Sequence, residues 1–189
     1  MDTERLRLTI EENAIDSLDY AVWHWIDKPR PTSLKHAVLQ TFQAISLFLK
    51  LRLSSLDTNA IWEDSSKTGP TARTVGFDEC VRRLKLQGVC FSSAEKKALR
   101  RLRSTRNMIE HLEFNLAKEQ VEKYIRDAFR FLDEFFETEL GGQFSDHLDA
   151  NRHQKILELI YTYKERVARA KREAERFRAI FHILAPPTD

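Results

Sequence analysis

The side chains of this sequence that could do chemistry lie together in one short segment. Within six residues it holds Arg106, Asn107, Glu110 and His111. A guanidinium binds phosphate oxygens through two parallel hydrogen bonds, an amide adds a further donor, and an imidazole exchanges protons near neutral pH. Phosphodiester chemistry needs groups of these kinds. We therefore interpret the segment as the candidate site of the chain.

The stretch that leads into this segment is strongly basic. Six Lys and Arg side chains fall between residues 96 and 106, beside only two nearby acids, Glu95 and Glu110. The net charge of the whole chain is only +2, so the electrostatic signal is local. A simpler interpretation, ordinary surface charge at the end of a helix, accounts for the same residues.

Other chemical signatures are missing from the sequence. It has no glycine-rich phosphate loop, no HExxH motif and no Cys/His spacing typical of zinc. We therefore predict neither a metal site nor a cofactor. Cys80 and Cys90 form no CxxC pair and are predicted to be buried thiols in a reducing compartment. No apolar run has the length of a membrane span, so we expect a cytoplasmic protein without a membrane partner.

Helical periodicity runs through most of the chain, which contains only five Gly and five Pro. Apolar residues at three- and four-residue steps predict a first helix from about Ile10 to Trp25. It should end at Pro29 and Pro31, because proline cannot continue a helix. Ser33 is predicted to cap the second helix.

The middle of the chain contains clear helix boundaries. Residues 54–76 have no helical period and are predicted to form a long loop. Gly88 should end the helix that follows. Ser92, with Glu95 three residues later, forms a capping box for the helix that carries the candidate site. The helices predicted for this region span about 77–86, 93–111 and 117–139.

The last segment carries the longest apolar period. From Ile156 to Leu184, apolar residues alternate four- and three-residue steps, which is typical of a heptad seam. The outer face of this segment is rich in Lys and Arg. Two interpretations stay open: a helix packed along the bundle with a solvated face, or an arm that forms a dimer or touches RNA.

The candidate segment resembles a known signature. From Arg106 to His111 it is similar to the RNxxEH variant of the Arg-x(4–6)-His motif of the HEPN family. Residues 34–50 are similar to the early helix of that family, and residues 77–84 to the segment that precedes its motif helix. One position departs from the pattern, because Ser46 stands where many relatives carry a glutamate.

The resemblance covers roughly residues 33–137 and implies an all-α fold, a HEPN-like antiparallel helical bundle. Together with the apolar periods it predicts two parts. Residues 1–140 form the bundle, interrupted by the loop at 54–76. Residues 143–189 form a C-terminal extension that contains a long helix.

The resemblance also implies a function, a metal-independent endoribonuclease of a toxin–antitoxin or anti-phage defence system. The 2′-hydroxyl of RNA would attack the adjacent phosphate. His111 would transfer protons, Arg106 would stabilise the phosphate, and Asn107 would orient either Arg106 or the phosphate. Glu110 would either fix the imidazole across a dimer or pair with an arginine. The residues expected to steer RNA are Lys96, Lys97, Arg100 and Arg103.

The expected partners follow from the same segment. Five residues at about 100° each put Arg106 and His111 roughly 140° apart on an ideal helix. We therefore predict a homodimer with a composite site, as the resemblance implies. RNA and an antitoxin or defence protein are the other expected partners. Two alternatives stay open: a non-catalytic HEPN module that binds a nucleotide, nucleic acid or partner protein, and a structural dimerisation subunit.

Overall fold

The first two helices form a hairpin. The computed structural model describes residues 8–27, 30–69 and 71–184. Helix α1 (Ile10–Val22) begins at a Thr9–Glu12 capping box and continues into a π-helical turn. Helix α2 (Pro31–Leu56) packs along α1, and the short connection between them makes the pair antiparallel.

The apolar face predicted for α1 is confirmed, whereas the predicted cap of α2 is wrong. The buried residues of that face are Ala14, Leu18, Ala21 and Trp25. Helix α2 begins at Pro31 with Arg30 as its N-cap, and Ser33 is buried in the first turn. Proline has a preset φ and no N–H that needs a partner, so it favours the first helical position over the serine.

The predicted long loop is shorter than expected and is anchored to the helices. Helix α2 extends to Leu56, and the next helix begins at Phe77. Within the described residues the only β pairing is a single bridge between Trp62 and Thr74. The Arg83 guanidinium donates hydrogen bonds to the carbonyls of Ala60, at 2.8 Å, and Trp62, at 2.7 Å. These bonds fix the loop to the helix that follows it.

Helices α3 (Phe77–Leu86) and α4 (Ser93–His111) occupy the predicted ranges. Between them Gly88 has a φ of +91°, a backbone conformation that favours glycine and ends α3. The predicted capping box is present, because the Ser92 hydroxyl accepts from the Glu95 N–H while the Glu95 carboxylate accepts from the Ser92 N–H. Local signals therefore set both ends of the helix that carries the candidate site.

Helix α5 (Lys118–Phe135) supplies the centre of the core and continues into a π-helical turn, Phe136–Leu140. The predicted inward residues are all buried: Val121, Ile125, Ala128, Leu132 and Phe135. The segment ends at Gly141, whose φ is +70°. The described part of the chain is thus an all-α protein, as predicted.

The predicted C-terminal seam is interrupted. Helices α6 (Ala150–Ile160) and α7 (Tyr163–Leu184) replace a single long period. The Thr162 hydroxyl and the Glu165 carboxylate cap the start of α7, which explains why a new helix begins there. Ile156 and Ile160 are buried in the same core as α1 to α5, whereas Val167, Ala170 and Ala174 are exposed. The side chains of Phe177, Phe181 and Leu184 lie outside the described residues.

A buried carboxylate attaches α7 to α5. Asp133, on α5, accepts hydrogen bonds from the Tyr161 hydroxyl at 2.7 Å and from the Arg169 guanidinium. Its side chain is fully buried, and burial raises the pKa of this carboxyl even though Tyr161 and Arg169 act in the opposite direction. Arg169 also donates to Glu173 at 2.8 Å. The first turns of α7 are therefore held against the bundle.

Candidate active site at the end of helix α4

Arg106 is positioned by aromatic side chains from two other helices. Its guanidinium carbon lies 5.3 Å from the centroid of the Phe42 ring on α2. Phe42 in turn packs against Phe77 of α3, with ring centroids 5.0 Å apart. The Arg106 side chain is 31% exposed. Contact with an aromatic face limits the directions that a long cationic side chain can take.

The structure brings the four predicted site residues together within one chain. Arg106 Nη2 lies 2.6 Å from Glu110 Oε2, and His111 Nε2 lies 3.7 Å from the same oxygen. Arg106 Nη1 also donates to Asn107 Oδ1 at 3.1 Å. One carboxylate oxygen is therefore within reach of both a guanidinium and an imidazole.

This contact corrects the angular argument for a second subunit. On an ideal helix the backbone positions of Arg106 and His111 diverge, but both side chains turn toward Glu110. Arginine has a long flexible stem, and glutamate four residues later shares its side of the helix. A single chain can therefore present both groups to one anionic oxygen.

The far side of the site is open to solvent. The His111 side chain is 69% exposed, and Leu112, which ends the helix, is 70% exposed. Residues that follow Leu112 in the chain contribute to an apolar groove of about 360 Å³, between the start of α2 and the 112–117 connection. Its apolar lining consists of Leu34, Phe114, Leu116 and Val121.

The four residues predicted to steer RNA lie on two sides of α4. Lys96, Arg100 and Arg103 line a groove between α3 and α4. Lys97 lies instead beside the acidic residues Asp127 and Glu134, in the depression between α4 and α5. Neighbouring helix positions point about 100° apart, which separates the two lysines.

Two basic residues of α3 were missed at the sequence level. Arg82 and Lys85 line the same groove as Lys96. The sequence does contain a feature that points to them: the stretch from Arg82 to Lys85 is basic and closely precedes α4. Hydrogen bonds from Arg82, and then from Arg83, lower the pKa of Glu79 to about 2. Arg82 is therefore partly neutralised by its own helix.

The two cysteines differ from each other, which corrects the prediction that both are buried. Cys80 is buried on α3, and burial raises the pKa of its thiol to about 12 although Lys50 lies nearby. Cys90 is exposed in the turn before α4. In the turn that follows Gly88, Val89 and Phe91 are buried in the core, whereas Cys90 between them is exposed to solvent.

Metal-binding clusters and membrane-spanning helices are both absent from the described residues. There, no group of three or more His, Cys, Asp or Glu side chains could hold a metal ion. In the same part of the chain, no helix is both long enough and apolar enough to cross a bilayer.

The fold and the site define an all-α bundle with a guanidinium, a carboxylate and an imidazole clustered at the end of a basic helix. No family model, curated protein or solved structure matches this chain.

Proposed function

We propose that the protein is a metal-independent endoribonuclease of the HEPN type. The observation that supports this most directly is the shared contact of Arg106 and His111 with Glu110 Oε2. The carboxylate oxygen stands in for an anionic phosphate oxygen, which would take its place when RNA binds. A cation and a proton carrier would then flank the same phosphate.

The proposed reaction uses a nucleophile that RNA itself carries. The His111 imidazole accepts the proton of the 2′-hydroxyl, and the 2′-oxygen forms a bond to the adjacent phosphorus. The bond from phosphorus to the 5′-oxygen breaks, and the imidazolium returns its proton to that oxygen. The products are a 2′,3′-cyclic phosphate and a 5′-hydroxyl. Arg106 stabilises the negative charge of the transition state, and Asn107 holds Arg106 in place through its amide oxygen.

We propose that the active unit is a homodimer with a composite site. The support for a dimer is the solvent exposure of the site, rather than the angle between Arg106 and His111 on an ideal helix. His111 and Leu112 are both largely exposed, and Phe114 and Leu116, which follow them in the chain, line an apolar groove. A second copy that covered Leu112 would exclude water from the imidazole and bring its own Arg106 close. Water exclusion strengthens every electrostatic contact in such a site.

The biological setting comes from the resemblance alone. A cytoplasmic ribonuclease of this type would act in a toxin–antitoxin or anti-phage system, and an antitoxin or defence partner would control it. The alternative function is a non-catalytic module that binds nucleic acid, a nucleotide or a protein. It is favoured by one observation, that Arg106 is already paired with Glu110.

Cleavage of total RNA in the presence of EDTA tests the proposal. We expect the wild-type chain to cut RNA, to leave 2′,3′-cyclic phosphate ends and to leave DNA intact, because DNA lacks the 2′-hydroxyl. His111→Ala and Arg106→Ala should each lower the rate by about 10²–10⁴-fold. His36→Ala, which removes an exposed imidazole from α2, is the matched control and should cut normally.

Three results would contradict the proposal. One is cleavage at the wild-type rate by His111→Ala. A second is loss of cleavage in EDTA that returns with added metal. The third is RNA binding without any cutting, which would favour the non-catalytic alternative.

A further inference from the structure

The groove between α3 and α4 has the composition of a nucleotide-binding surface. Its floor is apolar, formed by Phe77, Val81 and Leu99, and its volume is about 300 Å³. Its rim carries one acid, Asp78, and five cations: Arg82 and Lys85 of α3 with Lys96, Arg100 and Arg103 of α4. An apolar floor for a base and a cationic rim for phosphate are the two elements of single-strand recognition.

Several of these cations have no acidic partner. Within the described residues Lys85, Lys96 and Arg100 form no ion pair, whereas Arg82 pairs with Glu79 and Arg103 with Asp78. The groove therefore keeps a positive charge that its own acids do not neutralise. A polyanion would gain from contact with it, through the release of counterions.

The rim is aligned with the candidate active site. Lys96, Arg100, Arg103 and Asn107 follow one another at steps of four, three and four residues, which keeps them within about 60° on a helix. The groove floor is also continuous with the site, because its Phe77 packs on the Phe42 ring that Arg106 covers. A strand bound along the rim would therefore lead to the Arg106–Glu110 contact.

We infer that this groove is a subsite that holds one nucleotide of single-stranded RNA, on the strand that continues along α4 to the scissile phosphate. The base lies on the apolar floor, and the phosphate is bound by Lys85 and Lys96 from opposite sides. The volume of the groove, about 300 Å³, leaves room for one nucleotide. The inference rests on the proposed function for the position of the scissile bond, and it adds α3 as an RNA-binding element.

Exposed lysines inside and outside the groove offer a matched test. Binding of a mixed-sequence, single-stranded RNA 12-mer is measured by fluorescence anisotropy in a His111→Ala background, which prevents cutting. We expect Lys85→Glu and Lys96→Glu each to weaken binding roughly tenfold and to lower the salt slope by about 0.7. Lys155→Glu makes the same charge change on α6, none of whose residues lines the groove, and should bind within about twofold of the parent. All three lysines are exposed, and circular dichroism should be unchanged.

A change in the RNA tests the apolar floor separately. When a single abasic nucleotide is moved along the 12-mer, affinity should fall several-fold at one position and little elsewhere, since a stacked base contributes to binding. A uniform response would overturn the assignment of a base to the floor.

The outcomes of these experiments distinguish a failure of the subsite proposal from a failure of the proposed function. If the wild-type chain cuts RNA while Lys85→Glu and Lys96→Glu bind as Lys155→Glu does, the subsite is wrong and the ribonuclease stands. If those two variants lose RNA binding but the wild-type chain never cuts, the groove stands and the ribonuclease is wrong. If no form binds RNA, both are wrong, and an acidic protein becomes the occupant to test.

Discussion

Glu110 shows how a residue gains a definite contact only in the folded chain. The sequence left open whether it pairs with Arg103, Arg106 or an imidazole. In the structure it pairs with Arg106 at 2.6 Å, and Arg103 pairs with Asp78 of α3, also at 2.6 Å. The Arg106–Glu110 pair has the favoured four-residue spacing, whereas the Arg103–Asp78 pair depends on how α3 packs beside α4.

The first prediction concerns this glutamate. Glu110→Gln should tighten RNA binding several-fold in the His111→Ala background, because Arg106 loses the carboxylate that competes with phosphate. Glu113→Gln makes the same charge change at an exposed position three residues away and is the control. Anisotropy with the single-stranded 12-mer measures both. Weaker binding by Glu110→Gln would mean that the carboxylate positions Arg106 rather than competing for it.

The site residues themselves were accessible from the sequence, because they adjoin one another on one helix. All four of the 106–111 group meet in the folded chain. The contribution of α3 to the basic groove could not be predicted from the sequence in the same way. It requires that Lys85 and Lys96, which lie on different helices, line the same groove, and no local pattern specifies that packing.

At the level of elements, local signals predicted the helix boundaries where caps and glycines are strong. The Ser92–Glu95 box and Gly88 delimit α4 and α3 as expected. The break before α7 was missed because the apolar period continues through it. Thr162 and Glu165 start a new helix there, and an apolar period alone carries no information on such a cap.

The attachment of α7 to α5 gives the second prediction. Asp133→Ala should lower the free energy of unfolding by about 3 kcal/mol, because it leaves the mostly buried Arg169 without its main partner. Glu173→Ala removes the more exposed partner of the same arginine and should cost less than about 1 kcal/mol. Urea unfolding measures both. Equal costs would show that the buried carboxylate contributes no more than a surface ion pair.

A neighbouring imidazole makes the stability of this region depend on pH, which is the third prediction. Burial lowers the pKa of His153, although Asp133 acts in the opposite direction. Arg169 also lowers this pKa, whereas Glu173 and Asp146 raise it. The folded chain therefore favours the neutral ring. Its contribution to stability is present above a pH of about 6.5 and is lost as the pH falls through the lowered folded value.

Urea unfolding between pH 7.5 and pH 5 tests the pH dependence. We expect the free energy of unfolding to fall with pH in the wild-type chain and to fall less in His153→Gln. The control, His36→Gln, should keep the wild-type slope. If His153→Gln is as pH-dependent as the wild type, another group is responsible.

At the scale of the whole molecule, the fourth prediction concerns the proposed homodimer. Leu112→Glu should weaken self-association and lower RNA cleavage, because a charge would enter the surface that a second copy is expected to cover. Leu86→Glu is the matched control, since Leu86 is 72% exposed and Leu112 is 70% exposed. Both changes should alter the free energy of unfolding by less than about 0.5 kcal/mol.

Light scattering measures the self-association of the two variants, and cleavage assays measure their activity on RNA. Loss of the dimer in Leu112→Glu, with an intact dimer in Leu86→Glu, is the expected pattern. A mixture of His111→Ala and Arg106→Ala chains should regain partial activity when His111 of one copy works with Arg106 of the other. It should stay inactive when each site draws both residues from a single chain, as the Glu110 contact within one chain allows. A wild-type monomer that cuts RNA would contradict the dimer proposal while leaving the ribonuclease intact.

Because the two thiols differ in burial, the native chain can be labelled selectively at one cysteine. Cys80 is buried and its thiol stays protonated at neutral pH, whereas Cys90 is exposed two residues before the cap of α4. A maleimide dye should therefore attach at Cys90 alone, without any engineered cysteine. Two labelled copies of the protein would then report their separation by energy transfer, measured from the turn that begins the candidate helix.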